Sequence, residues 1–492
     1  MSFVFGDSFD LYAAVADATA AYWDSGTLTG LTLVAGRFTG SQAMQLAAAN
    51  SNVLTKASSA TTDSIHHFVV AIRQTAALSG TTLGTYFQLI DGSTNQCCVV
   101  FRSDGAMLLT SATPAGTVLD TYTGAVSAQN TWFAFEIEVV IHNSAGSWAV
   151  RKNGNTSNDH SLGSLNTRPG SNTQANKLTI GMNVTLNTQQ IDDLLWRSDA
   201  SSVPWVGDIR CYTRMPASDA SVQFSKAQTT ASVNTGLAGS TAITLGQARY
   251  CVQQTAPSDG TINTATVNLI AGYTGNMKCA IFASAGTNAP STVLATATPI
   301  SNPATGANVF TFPTPATLTK GATFHIGFCS DTSSGTWNAS GTGAIQSTTA
   351  YASFPVASPS ITTTVAGVVA TTTFTLSGNY TLVNEAQQDG ATTYVYDSTV
   401  GDADFYGIAS IGGTPASTIA VTTRGFIQKS DAGTRNGAVQ LKSSGVTVAS
   451  TSTALSTTWG WLWRTDTTDP ATGAAWGATA VNNAQVGPTV TA

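Results

Sequence analysis

Short segments in which apolar and polar residues alternate recur along the chain from residue 65 onward. Examples are residues 65–72 (IHHFVVAI), 86–90 (YFQLI), 97–101 (CCVVF) and 132–141 (WFAFEIEVVI), with Gly, Asn, Asp and Ser between them. A period of two, or a continuous β-branched run, is typical of short strands, and sustained helical periodicity is almost absent. The pattern therefore predicts an all-β protein with multiple antiparallel β-sandwich (jelly-roll) domains.

Segment 132–141 places two carboxylates on one side of a predicted strand. Its odd-numbered residues from 133 to 139 are apolar, so we expect them to face a core, whereas Glu136 and Glu138 face solvent or a shallow groove. Glucanases with jelly-roll architecture use paired carboxylates as acid and nucleophile. Those enzymes need a third acid in an E-x-D-x-x-E pattern, and Val140 and Ile141 stand where the rest of it belongs. We therefore interpret this as a solvated strand face and predict no catalytic residue and no enzyme.

Length and composition predict several domains. A chain of 492 residues is too long for one hydrophobic core. Only 9% of its residues are charged, against about 25% in an average globular protein. Charge is sparsest in residues 229–378, where the charged residues are Arg249, Asp259, Lys278, Lys320 and Asp331. Because a step in composition marks a domain boundary, we predict three domains. They are residues 1–200, residues 201–228 together with 379–492, and residues 229–378.

Charge and cysteine usage exclude several classes of function. The net charge is -6 and Lys and Arg do not cluster, which argues against nucleic-acid binding. No apolar run reaches the roughly 18 residues that span a bilayer, and MSFVFGDSFD does not have the pattern of a secretory signal. The six cysteines form no CxxC pair and no Cys/His cluster, so neither a disulfide scaffold nor a zinc site is predicted. We expect synthesis in the cytosol and no membrane partner.

Three tryptophans near the C-terminus are candidate glycan-stacking residues. Trp459, Trp461 and Trp463 alternate in TTWGWLWR, so all three would point to one face of a strand. Aromatic faces pack against the apolar faces of pyranose rings. The alternative is that the stripe fills the core of the third domain or a subunit interface, which is the commoner role of buried aromatics.

Metal binding has one candidate position in the first domain. Asp192 and Asp193 offer oxygen ligands of the kind that calcium takes, but a calcium site needs six or more oxygens from converging loops. His66 and His67 alternate across a strand and cannot both point at one metal. We therefore predict no cofactor, with calcium at Asp192 and Asp193 as the hypothesis to be tested.

Motifs at both ends of the chain resemble those of tailed-bacteriophage virion structural proteins. In the N-terminal part, GDSFD at 6–10, the Tyr22-Trp23 pair and IDDLLW at 191–196 resemble concanavalin A-like (laminin-G-like) jelly rolls of such proteins. The segment 205–216 (WVGDIRCYTRMP) is similar to a strand that enters a recurrent phage structural module. The continuation of that module corresponds to residues 379–385, 394–395, 401–402, 429–435, 469–476 and 481–482.

The resemblance implies an insertion. In the proteins it resembles, the pieces of the module follow one another with a short gap, whereas here residues 229–378 intervene. Since insertions succeed at exposed loop tips, we predict that 229–378 is a β-sandwich inserted into the third domain. Its TLTKGATFHIGF run is similar to accessory sandwiches of the carbohydrate-binding kind.

The function implied is that of a structural component displayed on a tailed-phage virion, either tail-associated or capsid-decorating. Such a protein is made in the host cytoplasm, assembles with other virion proteins and forms homo-oligomers, with trimers common among the proteins it resembles. Host-surface glycans are the further partner that this resemblance suggests. A free carbohydrate-binding protein and a polysaccharide hydrolase remain the alternatives.

Overall fold

The chain divides into two compact units. The computed structural model describes residues 3–492 except 11, 13, 47–52, 59–61, 183–188, 235–240, 245–248, 252, 333–335, 348, 360, 369, 386–391, 413–414 and 416. Met1–Met215 and Thr399–Ala492 form most of the first unit, and Pro216–Asn384 forms most of the second. The first unit thus contains the predicted first domain and much of the predicted third one, and the division into three domains stays a prediction.

The N-terminal part of the first unit is a sandwich of two antiparallel sheets. Its elements are β1 Phe3–Asp7, α1 Ala16–Ala21, β2 Ser25–Thr27, β3 Leu31–Ala35, β4 Gln42–Leu46, β5 Val53–Ala57, β6 Ile65–Gln74, β7 Leu83–Asp91, β8 Thr94–Arg102, β9 Met107–Ser111, β10 Val118–Tyr122, β11 Trp132–Val140, β12 Gly146–Lys152, β13 His160–Leu165, β14 Lys177–Met182 and β15 Gln189–Asp199. One sheet has the order β13-β12-β11-β6-β15-β4-β3, with β1 also paired to β15. The other has the order β10-β9-β8-β7-β14-β5-β2.

The core of this sandwich lies between the two sheets. Strand β11 contributes Phe135, Ile137 and Val139, which have no exposed surface, and they pack with Phe68 of β6 and Phe101 of β8. Full burial of one such side chain contributes about 1.5–3 kcal/mol to stability. The alternation predicted for 132–141 is therefore confirmed on its apolar side.

The second unit folds around a separate core. Its strands are β16 Pro216–Ser221, β17 Ser225–Lys226, β18 Thr230–Asn234, β19 Thr241–Thr244, β20 Arg249–Cys251, β21 Gln254–Thr255, β22 Gly260–Ala271, β23 Asn276–Ser284, β24 Pro290–Thr296, β25 Ile300–Ser301, β26 Gly306–Leu318, β27 Thr323–Ser330, β28 Thr336–Ser347, β29 Ile361–Val368, β30 Ala370–Leu376 and β31 Val395–Tyr396. Two 3-10 turns span Tyr351–Ser353 and Asn379–Leu382. An antiparallel sheet of order β18-β30-β22-β28-β20-β27-β23-β24 buries Ile262, Phe328 and Phe374.

The C-terminal part of the first unit is also made of short antiparallel strands. They are β32 Phe405–Ile408, β33 Val421–Ile427, β34 Asn436–Ser443, β35 Val446–Ala449, β36 Thr453–Ala454, β37 Gly460–Asp466 and β38 Gln485–Val490, with α2 at Ala478–Asn482. Strands β33 and β37 pair only with each other among the described strands, and we call this pair the ribbon. No helix in the described ranges is both long enough and apolar enough to cross a membrane. The predicted fold class, all-β with multiple antiparallel sandwich domains, is confirmed.

Candidate functional site: a covered sheet face and an aromatic ribbon

Glu136 lies on the side of β11 that faces away from the sandwich core. Its Oε1 accepts a hydrogen bond from the backbone N–H of Val206 at 2.6 Å, and its Oε2 accepts one from Gly207 at 2.7 Å. Both donors belong to residues 204–213, which cross this side of the sheet and which we call the strap. Only 3% of Glu136 is exposed, so the solvated face expected from the sequence is wrong at this residue. The chain's own backbone engages both oxygens of the carboxylate.

Buried charges surround the Glu136 carboxylate. Arg197 of β15 has no exposed surface, and its Nη2 lies 3.6 Å from Glu136 Oε1. The same Nη2 donates to Nδ1 of His67 and to the carbonyl oxygen of Pro204, each at 2.7 Å. Burial, reinforced by the Arg197 charge, lowers the pKa of His67 to about 3. The histidine is therefore neutral, and Arg197 is the positive charge that balances Glu136.

The two carboxylates on this face have different environments. Burial raises the pKa of Glu136, although the N–H groups of Val206 and Gly207 oppose that shift. Glu138 is half-buried, and burial raises its pKa overall although the Arg151 charge opposes that shift. A glycosidase needs two carboxyl groups that flank a space for the sugar, and here backbone amides fill the space beside Glu136. This arrangement leaves the Glu136 carboxylate unavailable for acid or nucleophilic chemistry.

Side-chain contacts anchor the strap along its length. The Trp205 ring lies 4.0 Å from Cζ of Arg151 and meets the His67 ring edge-on at 4.6 Å. Asp208 receives two hydrogen bonds from the guanidinium of Arg37, one of them 2.6 Å long. These contacts hold the strap against the sheet face at both ends of the Glu136 site.

The predicted calcium ligands lie under the same strap. The pairing of β15 with β6 shifts register between Asp192 and Leu195, and Asp193 has a φ of 51°. Asp192 accepts the backbone N–H of Arg37 at 2.7 Å, and Asp193 accepts that of Cys211 at 2.8 Å. Burial raises the pKa of Asp192 to about 6; it raises that of Asp193 to about 8, with the Asp192 charge adding to the effect.

The surroundings of this aspartate pair differ from a ring of converging oxygen ligands. The guanidinium of Arg37 lies 3.9 Å from Oδ2 of Asp193, so an arginine supplies the neighbouring positive charge. Within the described parts of the chain, no group of three or more His, Cys, Asp or Glu side chains is arranged to hold a metal ion. Calcium at Asp192 and Asp193 stays a hypothesis beside the prediction of no cofactor.

The tryptophan stripe lies on the ribbon. In the register of β33 and β37, Phe426 is opposite Trp461 and Arg424 is opposite Trp463. The Phe426 ring stacks with Trp459 at 5.2 Å and with Trp461 at 4.9 Å. The structure therefore brings all three predicted tryptophans to one face, together with an arginine and a phenylalanine that the sequence reasoning missed.

The three rings differ in their surroundings. Trp461 is half-buried and packs against the core of the N-terminal sandwich, whereas the alternative interpretation of the stripe named the core of the third domain or a subunit interface. Trp459 is also half-buried. Trp463 is 47% exposed, and Nζ of Lys56 lies 4.7 Å from its ring centroid. Of the three, Trp463 has the most ring surface available to a ligand.

Comparisons with known proteins give a likeness in fold. No family model matches the chain, and no curated protein matches it. Among solved structures, alginate lyase vAL-1 from Chlorella virus has 9% identity and a TM-score of 0.29, with 40% of this chain and 99% of that chain covered. The catalytic domain of a glycoside hydrolase family 131 protein from Coprinopsis cinerea has 12% identity and a TM-score of 0.28, with 41% and 95% covered. Arcelin-5, a lectin-like defense protein from Phaseolus vulgaris, has 9% identity and a TM-score of 0.21, with 35% and 90% covered. The chain's own antiparallel sheets define it as a β-sandwich protein, and the phage resemblance stays a prediction.

Proposed function

We propose that this chain is a non-enzymatic structural component of a tailed-phage virion, displayed on the particle surface and contacting host-surface glycans. The observation that carries the non-enzymatic part is the state of Glu136, whose two carboxylate oxygens are bound by the strap. An acid or nucleophile for glycoside cleavage needs a free carboxyl group next to the sugar. The sheet face that would hold such a group serves to anchor the chain's own segment.

The glycan-contacting part rests on the ribbon. Trp463 exposes 47% of its surface, and flat aromatic rings pack against the apolar faces of sugars. Thr422 and Thr465 lie opposite each other on the same face of the ribbon as Trp463, and their hydroxyl oxygens are 3.0 Å apart at the surface. A ring beside hydroxyl groups suits a ligand with both apolar and polar faces. Each contact of this kind is weak, and display in many copies would supply avidity.

The virion part rests on the motifs at both ends of the chain and on the low charge. Partners in this proposal are other virion proteins, and the chain forms a homo-oligomer such as a trimer. The position is tail-associated or capsid-decorating, after synthesis in the host cytoplasm. A free carbohydrate-binding protein is the second candidate, because the exposed Trp463 ring favours glycan contact whether or not a particle carries it.

Cryo-electron microscopy of the particle from the source genome tests the virion part. We expect density for the sandwich at a repeated surface site, which would also distinguish tail from capsid. Particles that contain no such density and no peptides of this chain by mass spectrometry would contradict it and leave the free carbohydrate-binding protein as the candidate.

A glycan array with the purified full chain tests the glycan-contacting part. We expect binding that weakens roughly 2- to 12-fold in Trp463→Ala, because an aromatic contact contributes about 0.5–1.5 kcal/mol. Trp132→Ala is the matched control, since Trp132 is half-buried on the sandwich and is not part of the ribbon. Equal weakening in both variants would contradict a ligand site at the ribbon, and release of reducing sugar from a polysaccharide would favour the hydrolase instead.

A further inference from the structure

Arg424, on the tryptophan face of the ribbon, makes no side-chain hydrogen bond in the described part of the protein. Its Cζ lies 4.0 Å from the ring centroid of Tyr22 and 5.6 Å from that of Trp461. Its Nη1 is buried and makes no hydrogen bond. A guanidinium carries five N–H donors in a planar fork, and a buried donor without an acceptor is unfavourable. The aromatic rings position the guanidinium of Arg424, but they do not provide a hydrogen-bond acceptor for its buried Nη1.

The carboxylate that interacts electrostatically with Arg424 is already occupied. Asp7 accepts hydrogen bonds from the backbone N–H of Phe9 at 2.9 Å, from the hydroxyl of Tyr12 at 2.6 Å and from Nε1 of Trp23 at 2.8 Å. Burial raises the pKa of Asp7 overall, and the Arg424 charge opposes that shift from a distance. No hydrogen bond joins Asp7 and Arg424. Asp7 therefore accepts hydrogen bonds from the N-terminal segment and none from the guanidinium of Arg424.

Other arginines that lie over tryptophan rings have acceptors. Arg73 lies 4.8 Å from the Trp132 ring and donates from Nε to Oε1 of Gln190 at 2.6 Å. Arg151 lies 4.0 Å from the Trp205 ring and donates to Oδ1 of Asn158 at 3.1 Å. Arg424 thus differs from these two arginines, each of which donates a side-chain hydrogen bond beside its tryptophan ring.

A second donor and an exposed ring lie beside this arginine. Nε1 of Trp461 is buried and also lacks an acceptor among the described residues. Trp463 is directly opposite Arg424 in the ribbon and is 47% exposed. The ammonium group of Lys56 lies 4.7 Å from the Trp463 ring and is bound to Asp24 at 2.9 Å. Because Nη1 of Arg424 and Nε1 of Trp461 are buried, a ligand would meet the remaining N–H groups of the Arg424 guanidinium, which lie on the same face as a ring available for stacking.

We propose that this face binds a saccharide that carries a carboxylate, such as a uronic acid residue. A guanidinium and a carboxylate form a bidentate pair with two parallel hydrogen bonds, whereas a neutral hydroxyl group accepts only one N–H of the guanidinium. The Trp463 ring stacks on the pyranose of the same residue. The inference rests on the proposed glycan-contacting function and specifies the class of glycan: acidic, with Arg424 selecting the charge and Trp463 holding the ring.

Titration calorimetry with the full chain tests the proposal. The probes are a galacturonic acid trisaccharide and the same trisaccharide with methyl-esterified carboxylates. We expect the acid to bind roughly 10- to 100-fold more tightly than the ester, which is the range for hydrogen bonds to charged groups. Arg424→Gln should abolish that preference by lowering the affinity for the acid to that for the ester, whereas Trp463→Ala should weaken both ligands. Added salt should weaken the acid alone.

Arg435→Gln is the matched control, because Arg435 lies in the same unit with 43% of its side chain exposed and pairs with Asp431 at 3.5 Å. It should keep the preference for the acid. Equal affinity for acid and ester, a preference that survives in Arg424→Gln, or no binding of the acid overturns this inference. In those cases binding of neutral glycans on the array would leave the proposed function standing. Loss of all glycan binding would remove the glycan-contacting part as well, while the particle density is an independent result.

Discussion

The Glu136 face and the ribbon face place charged and aromatic side chains side by side, but they differ in how the polar groups are satisfied. On the Glu136 face, the carboxylate, Arg197 and the strap amides all have partners within the chain. On the ribbon face, the described protein offers no acceptor to Arg424 or to the Trp461 N–H. Among the described residues, Nε2 of His67 on the Glu136 face is buried without a partner as well, so the faces differ mainly in charge. The charge of Glu136 is bound and balanced within the chain, whereas the Arg424 guanidinium has no hydrogen-bonded acceptor in the described protein, which indicates a partner from outside.

The contrast also concerns which charges are balanced. Glu136 and Arg197 lie 3.6 Å apart with almost no exposure, and their attraction offsets part of the cost of removing both from water. Arg424 is half-buried and is stabilised mainly by ring contacts. Removing one member of a buried pair is costly because the other remains uncompensated, whereas removing Arg424 takes away ring contacts and a longer-range interaction with Asp7.

The largest expected effect is that of Glu136→Ala on stability. The substitution leaves Arg197 without a balancing charge and the N–H groups of Val206 and Gly207 without acceptors. We expect a loss of about 3–5 kcal/mol in the free energy of unfolding of the first unit, measured by chemical denaturation. Glu138→Ala on the same strand is the control and should cost less than about 1 kcal/mol. Equal losses would show that the strap does not depend on Glu136.

The second effect is a loss of stability at acidic pH that originates in the sandwich. His66 has no exposed surface; it donates from Nε2 to the carbonyl of Asp63 at 3.1 Å and accepts from Nε1 of Trp196 at 3.3 Å. Burial lowers its pKa to about 4. Since that value is below the unfolded one of about 6.5, the stabilisation is present above pH 6.5 and is lost as the pH falls. At pH 5 we expect a loss of about 2 kcal/mol from this residue.

Denaturation at pH 7 and pH 5, compared with His66→Gln, isolates this contribution. The variant should be less stable than the wild type at pH 7, and its free energy of unfolding should fall less between pH 7 and pH 5. The comparison of variants is needed because burial raises the pKa of Glu136, Asp192 and Asp193, and those shifts favour the folded state as the pH falls. The same pH dependence in wild type and variant would contradict the assignment to His66.

Strand faces could be predicted from the sequence, whereas the partners of polar side chains could not. The alternation in 132–141 gave the buried side correctly because side chains of a strand alternate with a period of two. The strap over Glu136 depends on amides 70 and 71 residues away, which no local pattern encodes. For the stripe, alternation predicted the shared face, but the burial of Trp461 depends on packing against the N-terminal sandwich.

For Arg424, the sequence predicts the strand face but not the absence of a hydrogen-bond acceptor among the described residues. Its position two residues before Phe426 places both on one strand face, and the sequence therefore contains the parity that brings it to the tryptophans. What distinguishes this arginine is that no acceptor is close to it, although Asp7, Tyr12 and Trp23 form a hydrogen-bonded group nearby. An unfilled donor is a property of the assembled structure, so the sequence reasoning passed over it.

The smallest expected effect, that of Arg424→Gln on stability, tests the comparison most directly. Arg424→Gln removes two ring contacts and a charge that favours ionised Asp7, but no hydrogen bond to a described residue, so we expect a loss of about 1 kcal/mol in the free energy of unfolding. Arg197→Gln is the matched substitution on the other face and should cost about 3–5 kcal/mol, since it strands the buried Glu136 carboxylate. Chemical denaturation of the two variants side by side gives the difference. If Arg424→Gln costs as much as Arg197→Gln, the ribbon arginine is a structural element like its counterpart, and the distinction between the two faces no longer holds.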